Sequence, residues 1–598
     1  MDISSLPYFT PLVKDYISRF DSSAIHNFFD LSPRAPHEQF RKIIDRRLLR
    51  ERSLPAEHRN TVVDSIRNLH ASLNGLTDAA EHNLELLRKP QTMAVVTGQQ
   101  TGILGGPLYT FYKTYSAIQL AKSLSAKYEG FAFVPVFWIE TEDHDLEEIS
   151  SVHVLGAEGQ VESVKYVPSE LRNDPSPVWR KQAGPTKLEE TALNEFFEGL
   201  QAKLPKTEFS DRVQDLLRQL YSPGRSFSEA FAAMLLQYFG DDGLLLVDAN
   251  SNELKALGKE LFHKEIETSP LLSEKIVLQS VQLEEAYHAQ VKPRALNLFY
   301  INDDGERLAI VEREKTADAT ERIFFLRGTR KTFTLAELLA TVDEHPERFS
   351  PNVVMRPLFQ DSLLPTAAYV AGPGEIAYFA QFRAAYEWTE SLPMPLIHPR
   401  FSATIIEERL ERVFTKFHVT AEDVLSEAHG RNTALFDALI DTELIPKFEA
   451  AITEIDTTLE DLRDTVKKAD ATLDGALTSL KGKLLTSLRD FKDKTLAAER
   501  KRHSTAKAQL DKLLAAILPS GELQERELSL VYYLNKYGLT FTQTLKQLIA
   551  PIALDFQEHH VVHLAQGVTQ KGMEPGNFAE TRTSSEVAPL SAVHEAEK

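Results

Sequence analysis

Hydrophobic and polar positions follow three rhythms along this chain. In residues 1–90 apolar side chains recur at helical intervals, as in Val62, Ile66, Leu69, Leu73 and Leu76. They predict helices over 12–28, 36–49 and 55–86, a preface that packs on the next domain or forms its own bundle. From residue 92 the rhythm changes to short apolar runs closed by polar turns. Residues 93–97 and 131–139 read as buried strands. Between them Leu108, Phe111, Tyr115 and Ile118 mark one face of a helix over 108–128, with Pro107 suited to its first position. The result is a β–α–β unit with polar chemistry at both strand ends.

The same grammar returns at 366–398, where an apolar run, a glycine turn, a helix and a short strand follow one another. A further short strand is expected at 244–247. Two such units far apart in sequence predict one open α/β domain interrupted by insertions. The insertions cover about 151–240 and 270–350. They include an edge strand or hairpin within 151–166 and helices over 188–203, 209–220 and 226–239. A hairpin at 296–312 turns around Asp303, Asp304 and Gly305, and it need not lie in the main sheet. A helix enters from Thr334.

The third rhythm is a heptad. Ile452, Leu459, Val466, Leu473 and Leu480 fall seven apart, with Ile455, Leu462, Ala469 and Ala476 as the companion series. That seam predicts a long helical hairpin or coiled-coil arm, and a homodimer through it. The expected organisation is a helical part over 1–90, a core over 91–401, an arm over 402–518 and a returning helical segment over 519–565. The last of these holds two helices broken near Gly538 and a strand within 556–565. The polar stretch 566–598 is expected to be disordered.

Composition narrows the function. The 598 residues carry a net charge of -20, which argues against a nucleic-acid binder. No 18-residue apolar span is present and no signal peptide is evident, so no membrane partner and a cytoplasmic location are expected. There is no cysteine, which excludes thiolate metal sites and a cysteine nucleophile.

Candidate chemistry collects after the strands. The first turn holds Gly98, Gln99, Gln100, Gly102, Gly105 and Gly106, and the helix start behind it suits an anion such as phosphate. It matches neither GxGxxG nor GxxxxGK[ST]. The second turn, Glu140 to Glu148, is acidic around His144. It reads as a functional cluster, as a salt-bridged helix cap, or as ligands to Mg²⁺ arriving with a nucleotide. No resident metal site is expected.

The strings VVTGQQTGILGGPLYTFYK (95–113), PVFWIETEDHDLEE (135–148), RPLFQDSLLPTAAYVAGPGEIAYFAQ (356–381) and LQER (523–526) resemble BshC, the cysteine ligase family of bacillithiol biosynthesis. The resemblance spans about 1–565. It implies an α/β fold with a Rossmann-like, nucleotidyltransferase-type core, inserted connecting segments and a helical coiled-coil domain used for dimerisation. It implies a reaction joining L-cysteine to glucosaminyl malate, with ATP or ADP as nucleotide and a second nucleotide place in or beside the arm. A carboxylate must be activated before it forms an amide, and ATP does this through an acyl-adenylate or an acyl-phosphate. No enzyme nucleophile is then needed.

Because polar residues cluster after the apolar strands, Glu142, Asp143, His144, Asp145 and Gln100 are the candidate catalytic residues for that reaction. Thr97, the glycines 98, 102, 105 and 106, Gln99, Thr110 and Lys113 would sit over the nucleotide or the cysteine carboxylate. Gly372, Gly374, Glu375, Tyr378 and Gln381 would form the opposite wall. Arg356 and Gln360 would bind anionic substrate or close a polar network. A nucleotidyltransferase with another small substrate, a nucleotide-binding assembly protein and an RNA-handling relative of the synthetases are the rival readings.

Overall fold

The computed structural model describes residues 1–172, 179–313, 321–426, 443–502 and 504–564. The expectation of disorder over 566–598 lies outside them. At the centre is a five-stranded, wholly parallel sheet of β1 (Thr92–Gln100), β2 (Ala132–Glu140), β3 (Leu245–Asp248), β4 (Thr366–Ala371) and β5 (Leu396–Pro399). Its spatial order is β5-β4-β1-β2-β3. The order reverses between β1 and β4, so a crevice opens beyond their carboxyl ends.

Alternation along β1 divides the core. Met93 and Val95 face one layer, shared with Leu120, Ala121 and Leu124 of α1 (Leu108–Lys127) and with Phe40, Ile43 and Ile44 of the helix His37–Ser53. Ala94 and Val96 face the other, larger layer. Both faces of the sheet are therefore covered, as the unbroken apolar runs require. The preface helices belong to this body. Arg47 is fully buried and donates to the Asp361 carboxylate at 3.2 Å and to Pro393 O at 2.8 Å, so it is no solvated surface arginine. Pro107 stands one place earlier than expected, at the N-cap of α1.

The insertions form their own small sheets. Ser151–Leu155 and Val161–Lys165 make a separate antiparallel hairpin. The hairpin of Leu298–Ile301 and Arg307–Glu312 sits in a second five-stranded sheet with Ile323–Leu326, Thr332–Thr334 and Phe349–Pro351. The helix Leu335–Glu344 starts from Thr334 with a full capping box.

Two expectations for the C-terminal third need correction. Residues 402 onward do not begin as arm. Ser402–Ile406 is a fully buried strand that pairs in parallel with His559–His563, a partner too distant in sequence for local pattern to reveal. The heptad seam also does not run through one helix. Leu444–Asp461 and Arg463–Ala469 lead into a reversal at Ala471–Leu473, and Asp474–Arg502 returns. The hairpin closes on Ile452, Leu477, Leu485 and Leu496, whereas Leu473 and Leu480 of the expected seam are 46% and 49% exposed. Its two legs are tied by Phe448 against Phe491 and by ion pairs such as Lys492–Glu449 and Lys481–Glu460.

Candidate functional site

A cavity of about 570 Å³ lies at the crevice beyond β1, β2 and β4. Its floor starts at Gly98. A Cβ there would stand 2.8 Å from Trp138 O on β2, closer than real Cβ atoms come, so glycine permits the two strand ends to close together. Lys113 rises from α1 beneath that turn. It is fully buried and donates to Gly98 O at 2.5 Å while its ammonium pairs with Glu375 Oε2 at 2.5 Å. Burial lowers the Lys113 pKa from its usual value, and the Glu375 carboxylate opposes that shift. Glu375 also accepts from Gly372 N at 2.7 Å and from Tyr369 Oη at 2.6 Å. The turn after β1 and the turn after β4 are thus joined by one buried polar network.

Glu140, the last residue of β2, faces the same space. Burial pushes its carboxyl up to about 7, and the nearby Glu142 charge adds to this against the Arg356 and Arg307 guanidiniums. Its Oε2 is buried without a hydrogen bond and lies 3.8 Å from Arg356 Nε. Arg356 donates to Tyr378 Oη at 2.8 Å. Beyond Glu140, Asp143 accepts from Gln100 Nε2 at 2.9 Å and pairs with Arg307 at 3.2 Å. Burial pushes the Asp143 carboxyl up, but its bonds with His144 and the Arg307 charge outweigh that and hold it below the usual range. Two neighbouring carboxyls are therefore pulled in opposite directions, a neutral-leaning Glu140 beside an ionised Asp143.

The remaining wall is cationic. Seven Lys or Arg side chains and four carboxylates line the cavity, an inversion of the chain's overall charge that points to anionic ligands. Arg400 follows β5, lies over the Tyr109 ring and is held by Glu525 at 2.6 Å. Arg526 stands nearby in the lining. The string LQER is thereby accounted for. Gln524 clips to the backbone of Ile405, Glu525 fixes Arg400, and Arg526 reaches the cavity.

Of the residues singled out from sequence, Gly98, Gln99, Gln100, Lys113, Asp143, Arg356, Gly372, Gly374, Glu375 and Tyr378 line this cavity. The others stand elsewhere. Thr97 is buried and donates to Val370 O, tying β1 to β4. Gly102, Gly105, Gly106 and Thr110 lie outside the lining. Gly105 packs near Met234 and Tyr238, and the first N–H of α1, at Leu108, donates to Leu528 O at 2.8 Å, so that turn is covered by protein. Glu142 is buried in an ion pair with Lys255, which also donates to Phe349 O. His144 is 44% exposed on the rim, bonded to Asp143. Asp145 caps the helix Leu146–Ile149 through Glu148 N. Gln360 is buried against Asp361. Gln381 lies behind the wall, where it grips both backbone polar groups of Val291 at 2.8 Å.

Sequence reasoning had placed Glu140 only among generic metal ligands, and it passed over Tyr109, Glu148, Arg294 and Arg307. Glu140 and Glu148 carried a signal, as polar residues in the turn after an apolar strand. Arg294 and Arg307 carried none, because the inserted sheet brings them to the cavity. Asp143, Glu375 and Glu140 all face cations, so the donor set is not an open carboxylate cage. It suits Mg²⁺ that keeps most of its ligands from phosphate and water. Among the described residues the one cluster with metal-ligand geometry is Asp555, Glu558 and His560, outside this cavity. Also among the described residues, no helix is long and apolar enough to cross a membrane.

Comparison with known proteins agrees with this architecture. The family described as Bacillithiol biosynthesis BshC, N-terminal Rossmann-like domain, matches residues 1–401, and its C-terminal coiled-coil domain matches 403–564. The protein named "Putative cysteine ligase BshC" of Salinibacter ruber is 38% identical over 492 residues, 82% of this chain and 86% of that one. The protein of the same name from Chlorobaculum tepidum is 37% identical over 80% of this chain and 84% of its own. That of Geobacillus sp. is 30% identical over 91% and 96%. A solved structure titled "putative arginyl t-RNA synthetase" from Campylobacter jejuni aligns at 10% identity with a TM-score of 0.18, covering 81% of this chain and 97% of that one, too low to carry an argument. With both domain descriptions matched end to end and relatives above 30% identity across most of its length, the chain belongs to the BshC family of bacillithiol biosynthesis.

Proposed function

We propose that this chain is a cysteine ligase that joins the carboxyl group of L-cysteine to the amine of glucosaminyl malate. The observation that carries the reading is the pairing of Glu140 and Asp143 at the end of β2 within a cation-lined cavity. Amide formation needs an activated carboxylate, a neutral amine and a proton acceptor. Bound ATP would supply the activation. Arg400, Tyr109 and Arg526 would hold its phosphates, and any Mg²⁺ would arrive with them. Asp143, kept ionised, binds the incoming ammonium group. Once that group has lost one proton to solvent, its lone pair would attack the activated carbonyl carbon, the C–N bond would form as the C–O bond to the departing phosphate or AMP breaks, and Glu140, ionised above about pH 7, would take the second proton. Arg356, fixed by Tyr378, faces the negative charge that develops on the carbonyl oxygen.

The arm supports association of two copies. Leu480, Leu484 and Phe491 recur at intervals of four and seven on the helix Asp474–Arg502, and all are more than 40% exposed. A homodimer would cover them. Leu484→Glu with Phe491→Glu is expected to convert a dimer to a monomer in sedimentation velocity.

The reaction test is direct. Purified chain with cysteine, glucosaminyl malate and Mg·ATP is expected to yield the amide by mass spectrometry. Glu140→Gln is expected to lower kcat by about 10²- to 10⁴-fold and to abolish the rise of activity through pH 7. A full-rate Glu140→Gln enzyme would remove Glu140 from the mechanism, and absence of any amide would remove the ligase reading.

A further inference from the structure

The cavity holds two cations that its internal ion pairs do not use. Lys292 and Arg294 stand in the segment leading into the inserted sheet, and both line the cavity. Neither has a carboxylate within ion-pairing distance among the described residues. Arg294 lies over the Phe299 ring at 5.1 Å, and Arg307 lies over the same ring at 4.0 Å. Two guanidiniums thus share one aromatic surface. Arg307 is matched by Asp143, but Arg294 faces only further positive charge from Arg307 and Arg327. Both residues are exposed, so solvent screens them, and an anion entering the cavity meets two unpaired cations.

The segment is also held in place. Gln381 is fully buried. It accepts from Val291 N and donates to Val291 O, both at 2.8 Å, and it donates to Ser280 Oγ at 2.8 Å. Ser273 Oγ donates to Arg294 O. Lys292 and Arg294 therefore project from a backbone that is pinned on both sides. This group is distinct from the cations around Tyr109, Arg400 and Arg526, which stand there with the carboxylates of Glu148 and Glu375.

The geometry points to Lys292 and Arg294 as the subsite for a dicarboxylate on the acceptor substrate, with Gln381 as the residue that positions it. This rests on the ligase reading, in which the acceptor carries a malate group, and it assigns that group a place. Two carboxylates match two unpaired cations, and the Arg307 guanidinium over the same Phe299 ring adds a third positive charge. The cations at Arg400 and Arg526 are left for the nucleotide.

The test compares substrates within one enzyme. In Lys292→Ala/Arg294→Ala the KM for glucosaminyl malate is expected to rise about 10- to 100-fold, with the KM values for cysteine and ATP within twofold. Wild type is expected to lose a similar factor on the malate dimethyl ester, whereas the double variant is expected to treat acid and ester alike. Gln381→Ala should reproduce part of the effect on acceptor KM. Gln381→Glu, which keeps the acceptor for Val291 N but loses the donor to Val291 O, should fall between. An unchanged acceptor KM, a rise in ATP KM instead, or a double variant that still rejects the ester would overturn the assignment. Titration calorimetry of glucosaminyl malate against the full chain without ATP separates this from failure of the ligase reading. Binding that weakens in the double variant supports the subsite even if no amide forms, and equal binding by both proteins overturns it.

Discussion

The chain leaves β1 and β4 through turns written in the same grammar, an apolar strand, glycines, a proline and a helix. After β4 the turn stays open. Gly372 and Gly374 line the cavity, and Glu375 folds back to cap its own helix start. After β1 only Gly98 to Gln100 reach the cavity. The chain then drops beneath Tyr221, Met234 and Tyr238, and Leu528 closes the start of α1. Gly106 there has φ 70° and ψ −160°, a conformation open in practice only to glycine. Glycine in such a turn reports how sharply the chain reverses. Whether its N–H groups meet a ligand or another segment is decided by what packs on top.

Lys113 bonds to both turns, so its removal should have the largest effect. Lys113→Ala strips Gly98 O of its donor and takes from the half-buried Glu375 carboxylate the cation in contact with it, leaving the Arg356 charge nearby. A loss of about 3–5 kcal/mol is expected, read from urea denaturation, together with loss of ligase turnover. If stability holds and only turnover falls, the two turns are not mechanically linked and Lys113 is reserved for ligand. Next in size is Gly106→Ala, in the covered turn. Its backbone conformation should cost about 1–3 kcal/mol, with KM values unchanged in the fraction that folds. A KM shift without destabilisation would mean that the covered turn opens to ligand after all.

Much of this contrast was invisible in the sequence for a definable reason. The parallel strands, α1, the capped helix at Thr334 and the Asp-Asp-Gly hairpin were legible, because each is set by periodicity or turn chemistry within some twenty residues. The family resemblance reached further. It flagged LQER without saying that Glu525 fixes Arg400. The strand Ser402–Ile406 was missed because its partner, His559–His563, lies across the whole C-terminal third. Glu142 is one of the candidate catalytic residues of its turn, yet it is spent on Lys255, a residue from the helix Asn252–Leu257 that no local rule connects to it. The heptads misled for the opposite reason. The spacing was real but crossed a reversal at Ala471–Leu473, so one series of apolar residues ended on two antiparallel legs.

The turn after β2 sharpens the comparison through pH. Glu140 titrates near 7 in the folded chain and near its ordinary value when unfolded, so between those values the native state holds a proton that the unfolded state has released. Stability is therefore expected to fall as pH rises from about 4.5 through about 7. Glu140→Gln, neutral throughout, should flatten that part of the curve and gain on the wild type at pH 8 in urea midpoints. Equal slopes for the two proteins would place the Glu140 carboxyl in open water and remove the neutral wall of the cavity.

The smallest structural effect should come from the open turn itself. A Cβ on Gly374 meets only Gln290 Nε2, at 3.8 Å, and its φ is not left-handed, so Gly374→Ala should change stability by less than about 0.5 kcal/mol. Its consequence should instead be catalytic. The added methyl projects toward the segment that carries Lys292 and Arg294, and a shift of that segment should raise the acceptor KM by a few fold with the cysteine KM unchanged. Set beside Gly106→Ala, this makes a crossed pair in which one glycine costs stability and spares binding while the other does the reverse. If both variants move the same quantity, the two turns share one role, and the covered-against-open distinction fails where it is most exposed to test.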